Sequence, residues 1–141
     1  NDFGDLRNVK VERERNRIDI LISNNDNAII IENKINNAPD QDKQLERYYK
    51  KITDEEEKTV LKIVYITLSS QDNCEPSNLK GYGDSETIEK LLIHLPAVSK
   101  DYKNSLLYWL DKCIKTPSEN NIGKIFLEQY LLLTWRVLLL G

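Results

Sequence analysis

The chain has 141 residues, of which 20 are lysine or arginine and 23 are aspartate or glutamate, so its formal net charge at pH 7 is -3. This length suits one domain with a single hydrophobic core, and we expect residues 1–141 to be one domain, a fragment or a trimmed form of a longer protein. The acidic balance excludes a protein that is covered throughout by basic residues, but it does not exclude a local basic surface.

The cysteine and histidine content excludes several classes of site. Cys74 and Cys113 lie far apart in the sequence, and His94 is the single histidine. A disulfide-rich scaffold, a cysteine-built zinc site and a histidine-rich metal site are therefore excluded, and a Ser-His-Asp triad is a poor hypothesis. The few cysteines suit a reducing cytosol, and the polar N-terminal segment lacks the apolar core of a signal peptide. We expect a cytoplasmic protein that does not associate with membranes.

The first forty residues predict a three-stranded antiparallel meander. Val9, Val11 and Arg13 alternate with Lys10, Glu12 and Glu14, as in a half-exposed strand, and residues 15–16 predict a tight turn. Residues 17–23 and 28–35 are both rich in isoleucine, and the polar run of residues 24–27 separates them. Two β-branched runs joined by turn-forming residues are typical of a β-hairpin.

The middle of the chain predicts a helix, a buried strand and one ambiguous segment. Asp40 can cap a helix that runs to about residue 52, and residues 60–67 are a nearly continuous apolar run that favours an interior strand. Residues 85–95 fit a helix by the spacing of their leucines, but their last part also fits a short strand.

The C-terminal part predicts two further helices. Residues 99–114 have an apolar stripe that includes Trp109, which we interpret as part of the core. Residues 123–140 are apolar on more than one face, so this helix either lies deep in the core or contacts a second copy or another partner. Together with the meander, these elements predict an α/β fold in which helices flank a mixed sheet.

The predicted hairpin register brings charged side chains together. If residues 24–27 form the loop, Ser23 pairs with Ala28 and Asp19 lies opposite Glu32, with Cβ atoms about 4.5–5.5 Å apart. Lys34 is two residues beyond Glu32 and projects from the same face of the sheet. One face of an otherwise apolar hairpin therefore gathers two carboxylates and an amine.

Such a cluster has one chemical and one structural interpretation. Carboxylate oxygens and water are the ligands that Mg²⁺ prefers, and a lysine beside them can orient or deprotonate water, or stabilise charge on a phosphate. Alternatively, Lys34 bridges the two acids in an ion-pair ladder on a solvated face. Spacing alone does not decide between these interpretations.

A run of short motifs carries a family resemblance across residues 13–49. The motifs, in order, are Arg17-Ile18-Asp19-Ile20, Ile31-Glu32-Asn33-Lys34-Ile35, Asp40-Gln41, Gln44-Leu45 and Tyr48. This series resembles the PD-(D/E)XK nuclease superfamily, in particular a bacterial and phage branch of it, although Ile18 stands where the proline of the family name would be.

The resemblance implies a restriction-endonuclease-like core and a metal-dependent endonuclease that uses Mg²⁺ or Mn²⁺. It further implies that Asp19 and Glu32 bind the metal, that Lys34 is the catalytic lysine and that Gln44 is an auxiliary polar residue. The family's additional acid normally comes from a helix before the first strand, and Glu14 is the nearest candidate in this chain.

The helix after the hairpin offers a basic stripe. Lys43, Arg47, Lys50 and Lys51 follow helical spacing and could each hold a phosphate. The other interpretation is a solvated face balanced by neighbouring acids. Likewise, Gln44 could pack on Tyr48 without a catalytic role, and His94 fits a hydrogen-bonded structural histidine better than a catalytic one.

These observations predict a nuclease that hydrolyses phosphodiester bonds, in DNA, with Mg²⁺ as its cofactor and nucleic acid as its partner. The alternative is a nuclease-like module without turnover that binds nucleic acid or protein in a phage or defence setting. In either case the predicted C-terminal helix is the expected surface for a homodimer or another partner.

Overall fold

The computed structural model describes residues 4, 8–34, 41, 43–69, 85–115, 128, 129 and 132. The strands in chain order are β1 Lys10–Arg15, β2 Ile18–Ser23, β3 Asn27–Lys34, β4 Thr59–Ser69 and β5 Leu92–Val98. The α-helices are α1 Gln44–Lys50, α2 Ser85–Leu91 and α3 Leu106–Lys115. The strands form one five-stranded sheet in the order β1-β2-β3-β4-β5, and this mixed sheet flanked by helices confirms the predicted α/β, restriction-endonuclease-like fold.

Strands β1, β2 and β3 form the predicted antiparallel meander. Ser23 pairs with Ala28 and Ile20 pairs with Ile31, so the predicted register of the β2–β3 hairpin is confirmed. The side-chain oxygen of Asn24 accepts hydrogen bonds from the backbone nitrogens of Asp26 at 3.0 Å and Asn27 at 2.7 Å. This local capping of the loop explains why the polar run reverses the chain without a glycine.

The β1–β2 turn lies one residue later than predicted. Arg15 pairs with Ile18, and the two residues between them, Asn16 and Arg17, have φ angles of 54° and 68°. Two left-handed residues in a two-residue loop are the type I′ arrangement, whose twist matches that of the flanking strands. Arg17, which the sequence pattern placed in the strand, therefore belongs to the turn.

Helix α1 packs its apolar side on the sheet. Leu45, Tyr48 and Ile52 are buried in the same core cluster as Leu21 and Ile30 of the hairpin. The observed helix begins at Gln44, later than the predicted start after Asp40. At its other end it continues beyond residue 52 as a π-helical segment, Lys51–Glu55. The predicted cap, Asp40, lies outside the described residues.

The second half of the sheet is parallel. Strand β4 lies between β3 and β5 and pairs in parallel with both, which confirms the predicted interior strand. The ambiguous segment contains both predicted elements in succession, because α2 ends at Leu91 and β5 begins at Leu92. Pro96 lies in β5, which has a single described neighbour, β4, and such strands tolerate proline better than strands with a neighbour on each side.

Helix α3 corrects one core assignment. The hydroxyl oxygen of Ser105 accepts a hydrogen bond from the backbone nitrogen of Tyr108 at 3.2 Å, so the helix begins at Leu106 rather than at residue 99. Leu107 and Leu110 are buried, whereas Trp109 is 55% exposed. The prediction that Trp109 belongs to the core is therefore wrong, because leucines occupy the face that meets the sheet.

The predicted C-terminal helix of residues 123–140 lies almost entirely outside the described residues. The structure describes residues 128, 129 and 132 of it, and these three are helical. Over the part of the chain that the structure describes, we find no helix with the length and apolar character needed to cross a membrane.

Candidate active site

The charged residues of the hairpin lie at the carboxyl end of the parallel strands. Glu32 and Lys34 are the last buried residues of β3, and their register partners on β4 are Tyr65 and Thr67. In open α/β sheets, ligands bind beyond the carboxyl ends of parallel strands, where side chains from several elements converge. The topology therefore places this cluster where a binding site is expected.

The alternating burial of β3 carries its core face into the cluster. Ala28, Ile30, Glu32 and Lys34 are all buried, while the intervening residues are half-buried or exposed. Glu32 is 2% exposed and Lys34 is 6% exposed, so the two charges share the face that packs under α1. The alternative of an ion-pair ladder on a solvated face is therefore wrong for this pair.

Three buried polar side chains form a closed hydrogen-bonded triangle. The Nζ of Lys34 lies 2.8 Å from Oε1 of Glu32 and donates a hydrogen bond to Oε1 of Gln44 at 2.9 Å. The Nε2 of Gln44 in turn donates to the same Glu32 oxygen at 2.9 Å. Because each member contacts both others, the triangle holds the carboxylate and the ammonium in one fixed geometry.

Asp19 lies beside this triangle on the neighbouring strand. The observed β2–β3 register ends at Ile20 and Ile31, and the next pair in that register would be the predicted one of Asp19 with Glu32. The side chain of Asp19 is half-buried, and its Oδ2 accepts a hydrogen bond of 2.7 Å from the backbone nitrogen of Asn33. Asn33 lies between Glu32 and Lys34 in β3, so this hydrogen bond holds the carboxylate of Asp19 at the end of that strand.

Glu14 lies on the outer strand of the meander. The pairs Arg13–Ile20 and Arg15–Ile18 flank it, so its register position is opposite Asp19, but its side chain is exposed and its φ angle is 53°. Among the described residues, no group of three or more acidic, histidine or cysteine side chains is arranged to hold a metal ion. The site as described therefore offers two carboxylates, and a metal role for Glu14 stays a prediction.

The residues present fit a hard divalent cation. Oε2 of Glu32 is buried and accepts no hydrogen bond from the described residues. Oε1, in contrast, forms the ion pair with Lys34 and accepts the hydrogen bond from Nε2 of Gln44. Carboxylate oxygens are the protein ligands that Mg²⁺ or Mn²⁺ prefers. Asp19 and Glu32 are the residues that would hold such an ion.

Comparison with known proteins decides the family. A family model described as the PD-(D/E)XK nuclease superfamily matches residues 3–132. The chain belongs to the PD-(D/E)XK nuclease superfamily. Searches of the curated proteins and of the solved structures found no match.

In this PD-(D/E)XK protein, Tyr48 connects the triangle to the β1–β2 turn. Its hydroxyl accepts a hydrogen bond of 2.8 Å from Nε2 of Gln44 and donates one to the backbone oxygen of Arg17. Burial raises the pKa of Tyr48 above its ordinary value, so the hydroxyl keeps the proton that it donates. The sequence pattern indicated packing between Gln44 and Tyr48, but it contained no sign of the contact with Arg17.

On β5, His94 extends the polar row across the sheet. It pairs in register with Tyr65, and its Nε2 lies 2.6 Å from the hydroxyl oxygen of Thr67. Thr67 is in turn the register partner of Lys34. The interpretation of His94 as a hydrogen-bonded structural histidine agrees with this contact, and Thr67 is a neighbour of the site that sequence reasoning did not single out.

The four basic residues predicted for nucleic-acid binding occupy different settings in this PD-(D/E)XK protein. Arg47 is exposed, whereas Lys50 forms an ion pair with Glu46 at 2.7 Å and Lys51 pairs with Glu55. Lys43 precedes the helix in a left-handed conformation, with φ of 52°. The stripe is therefore continuous from Arg47 onward, and Lys43 lies outside the regular helix.

Proposed function

We propose that this protein is a metal-dependent endonuclease that hydrolyses phosphodiester bonds in DNA. The observation that carries the proposal is the buried triangle of Glu32, Lys34 and Gln44 beside Asp19. Membership of a nuclease superfamily supports the reaction class. Burial of two opposite charges and an amide at a sheet edge is costly for a purely structural purpose, which favours a role in chemistry.

Each residue of the cluster has a proposed task. Asp19 and Glu32 would hold Mg²⁺ or Mn²⁺, which when bound would lower the pKa of a water molecule and neutralise charge on the phosphate. Lys34 directs its ammonium at the reacting phosphate, orients the attacking water and stabilises the negative charge that develops. Gln44 holds the lysine and the carboxylate at their working separation, so that neither reorganises during the reaction.

The remaining parts of the proposal concern the substrate and its surroundings. Lys43, Arg47, Lys50 and Lys51 contact backbone phosphates, which position a strand without reading its sequence. Glu14 would supply a further carboxylate to the metal site. A bacterial or phage-infected cytoplasm is the proposed location, and the predicted C-terminal helix is the proposed surface for a second copy.

The decisive experiment is a cleavage assay on the purified chain. Covalently closed plasmid, linear duplex and single-stranded DNA, with a matched RNA, are incubated with Mg²⁺, with Mn²⁺ or with EDTA. We expect cleavage of closed plasmid that requires the cation, that is lost in Asp19→Asn and Glu32→Gln, and that persists in Lys62→Gln, a control at an exposed position of β4. Cleavage that survives in EDTA or in both acid variants contradicts the proposal.

A calorimetric titration with Mn²⁺ separates the nuclease from a module that binds without turnover. Binding heat that disappears in Asp19→Asn supports the metal site independently of any chosen substrate. If the wild type shows neither heat nor cleavage on any of the four substrates, the endonuclease proposal fails and the binding module takes its place.

A further inference from the structure

Two large aromatic side chains meet solvent at and just before helix α3. The helix buries leucines against the rest of the fold, whereas Trp109 is 55% exposed. Tyr102, which begins the 3-10 helical turn Tyr102–Asn104 before the helix, is 44% exposed. Among the residues that the structure describes, these two are the exposed aromatic side chains. Both therefore lie within one short stretch of the chain.

A second tyrosine and a lysine connect the two exposed rings. The ring of Tyr108 meets that of Tyr102 edge to face, with ring centroids 5.5 Å apart and ring planes at 81°. The Nζ of Lys112 lies 5.4 Å from the centroid of the Tyr108 ring. Lys112 is three residues after Trp109, so these two side chains are neighbours on the helix surface. The result is one continuous surface, the aromatic-lysine face, made of Tyr102, Tyr108, Trp109 and Lys112.

The contacts within this face orient the rings before any ligand binds. Edge-to-face aromatic pairs and cations over ring faces are both favourable contacts. Tyr108 is half-buried and carries Lys112 over its ring, so it supports the face, while Tyr102 and Trp109 keep ring area open to solvent. Rings that are already oriented lose little conformational freedom when a flat ligand binds.

The charge around these rings is opposite in sign to that of the chain. Residues 99–115 contain four lysines and two aspartates, whereas the whole chain has a net charge of -3. The exposed lysines include Lys103, Lys112 and Lys115. Asp111 pairs with Lys115 at 2.7 Å, and Asp101 accepts hydrogen bonds from the 3-10 turn. The local excess of positive charge favours an anionic ligand.

Exposed rings interleaved with lysines suit an unpaired nucleic-acid strand better than a protein partner. The centres of protein–protein interfaces are enriched in aromatic residues but depleted in lysine. Proteins that bind single strands combine rings on which bases stack with basic residues that contact the phosphates. In a duplex the base faces are stacked on one another, so they are not available to rings on a protein surface.

The aromatic-lysine face begins at the edge of the sheet where the candidate active site lies. Strand β5 is parallel to β4, as β4 is to β3. It ends at Val98, which pairs with Ser69, two residues beyond the Thr67 that is the register partner of Lys34. Tyr102 follows four residues after the end of β5. The face and the candidate active site therefore belong to the same edge of the sheet.

We infer that the aromatic-lysine face binds an unpaired nucleic-acid strand, with bases stacked on Trp109 and Tyr102 and with Lys112 at a phosphate between them. Stacking on a ring requires no particular base, so the face distinguishes unpaired from paired strands and does not distinguish one sequence from another. The inference concerns residues outside the charged cluster, and it rests on the proposed function only for the later cleavage of the bound strand.

The test compares two oligonucleotides that differ only in their bases. Fluorescence anisotropy of a labelled oligothymidylate, and of an abasic oligonucleotide of the same length, is recorded in EDTA, which prevents cation-dependent cleavage. The abasic strand keeps the phosphates that the basic stripe of α1 would contact, but it has no base to stack. Loss of one stacked base weakens binding about five- to 150-fold. We therefore expect the oligothymidylate to bind at least about fivefold more tightly than the abasic strand. This difference should disappear in the double variant Tyr102→Ala with Trp109→Ala.

Conservative and matched variants provide the controls. Tyr102→Phe keeps the ring and should bind as the wild type does, whereas Tyr102→Ala should weaken binding. Ile93→Ala removes an apolar side chain of β5 that is 41% exposed and outside the face, and it should leave binding unchanged. The chain has two tryptophans, so Trp135→Phe leaves Trp109 as the single one. We expect the oligothymidylate, and not the abasic strand, to quench the fluorescence of that variant.

Three results overturn the inference. The first is equal affinity of the wild type for the two oligonucleotides. The second is an affinity for the oligothymidylate that is unchanged in the double variant. The third comes from sedimentation of the wild type, where association that depends on concentration and is lost in Trp109→Ala would assign the face to a second copy of the chain.

The outcomes for the aromatic-lysine face and for the nuclease are separable. Base-dependent binding in EDTA that is lost in the double variant, together with no cleavage in Mg²⁺ or Mn²⁺, supports the face and contradicts the nuclease. Cation-dependent cleavage by the wild type, with strand binding and turnover unchanged in the double variant, supports the nuclease and contradicts the face.

Discussion

Lys34 and Glu32 form an ion pair of 2.8 Å in which the side chains are 7% and 3% exposed. Removal of one partner leaves an uncompensated charge in the interior, whereas removal of both does not. We therefore expect Lys34→Met to lower the free energy of unfolding by about 3 kcal/mol, and Glu32→Leu combined with Lys34→Met to recover much of that loss. Urea denaturation of the two single variants and the double variant measures the coupling. If the losses of unfolding free energy in the single variants add up to that of the double variant, the interaction between Glu32 and Lys34 does not stabilise the fold.

Asp19 gives the cleaner test of chemistry, because its side chain is half-buried and lies outside the ion pair. An asparagine at position 19 keeps an oxygen for the Asn33 backbone nitrogen but removes a negative charge from the site. We expect Asp19→Asn to change the free energy of unfolding by less than about 0.5 kcal/mol. Its affinity for Mn²⁺, measured by calorimetry, should fall at least about tenfold, since a charged ligand is lost. Unchanged affinity would remove Asp19 from the metal site.

The hydroxyl of Tyr48 makes stability sensitive to alkaline pH. Because burial raises its pKa above the ordinary value of 10.0, the folded state holds this proton more tightly than the unfolded state. Its contribution is complete below the ordinary tyrosine pKa and is lost as the pH rises through the folded-state pKa. We expect the stability difference between wild type and Tyr48→Phe to shrink above pH 10.0, measured by denaturation at a series of pH values. A constant difference would contradict the buried hydroxyl.

The type I′ turn places Arg17 in a backbone conformation that favours glycine. Arg17 has a φ angle of 68°, which glycine adopts at lower cost than any residue with a Cβ. We expect Arg17→Gly to stabilise the protein by about 0.5–1 kcal/mol, because glycine has no Cβ to clash in the left-handed conformation. Thermal denaturation of the wild type and of Arg17→Gly measures the gain. A stability gain in Arg17→Ala as large as that in Arg17→Gly would contradict the left-handed turn.

Two residues of α3 differ in their expected effect on stability. Leu107 is buried and Trp109 is exposed, although tryptophan is the larger and the sequence pattern placed it in the core. We expect Leu107→Ala to cost about 2–5 kcal/mol and Trp109→Ala less than about 1 kcal/mol. Urea denaturation of both variants measures these losses of unfolding free energy. A larger loss for Trp109→Ala than for Leu107→Ala would show that the tryptophan ring is buried in an interface.

Local patterns carried the prediction of the hairpin and of much of the site. The β2–β3 register follows from a loop of defined length, and the shared face of Asp19, Glu32 and Lys34 follows from the two-residue period of a strand. The same reasoning failed by one residue at the β1–β2 turn, because the choice between Arg15-Asn16 and Asn16-Arg17 depends on which residues adopt positive φ. Composition does not reveal that choice when neither residue is glycine.

The sequence by itself determined the strand order of the meander, the pairing of its second hairpin and the set of charged side chains on one face, since these depend on contacts between neighbours along the chain. Only the tertiary structure decided that Glu32 and Lys34 are buried, that Gln44 completes their triangle and that Tyr48 of α1 donates a hydrogen bond to the backbone oxygen of Arg17 in the β1–β2 turn. Those features arise when the helix packs on the sheet, which sets burial and distances between residues that no local period relates.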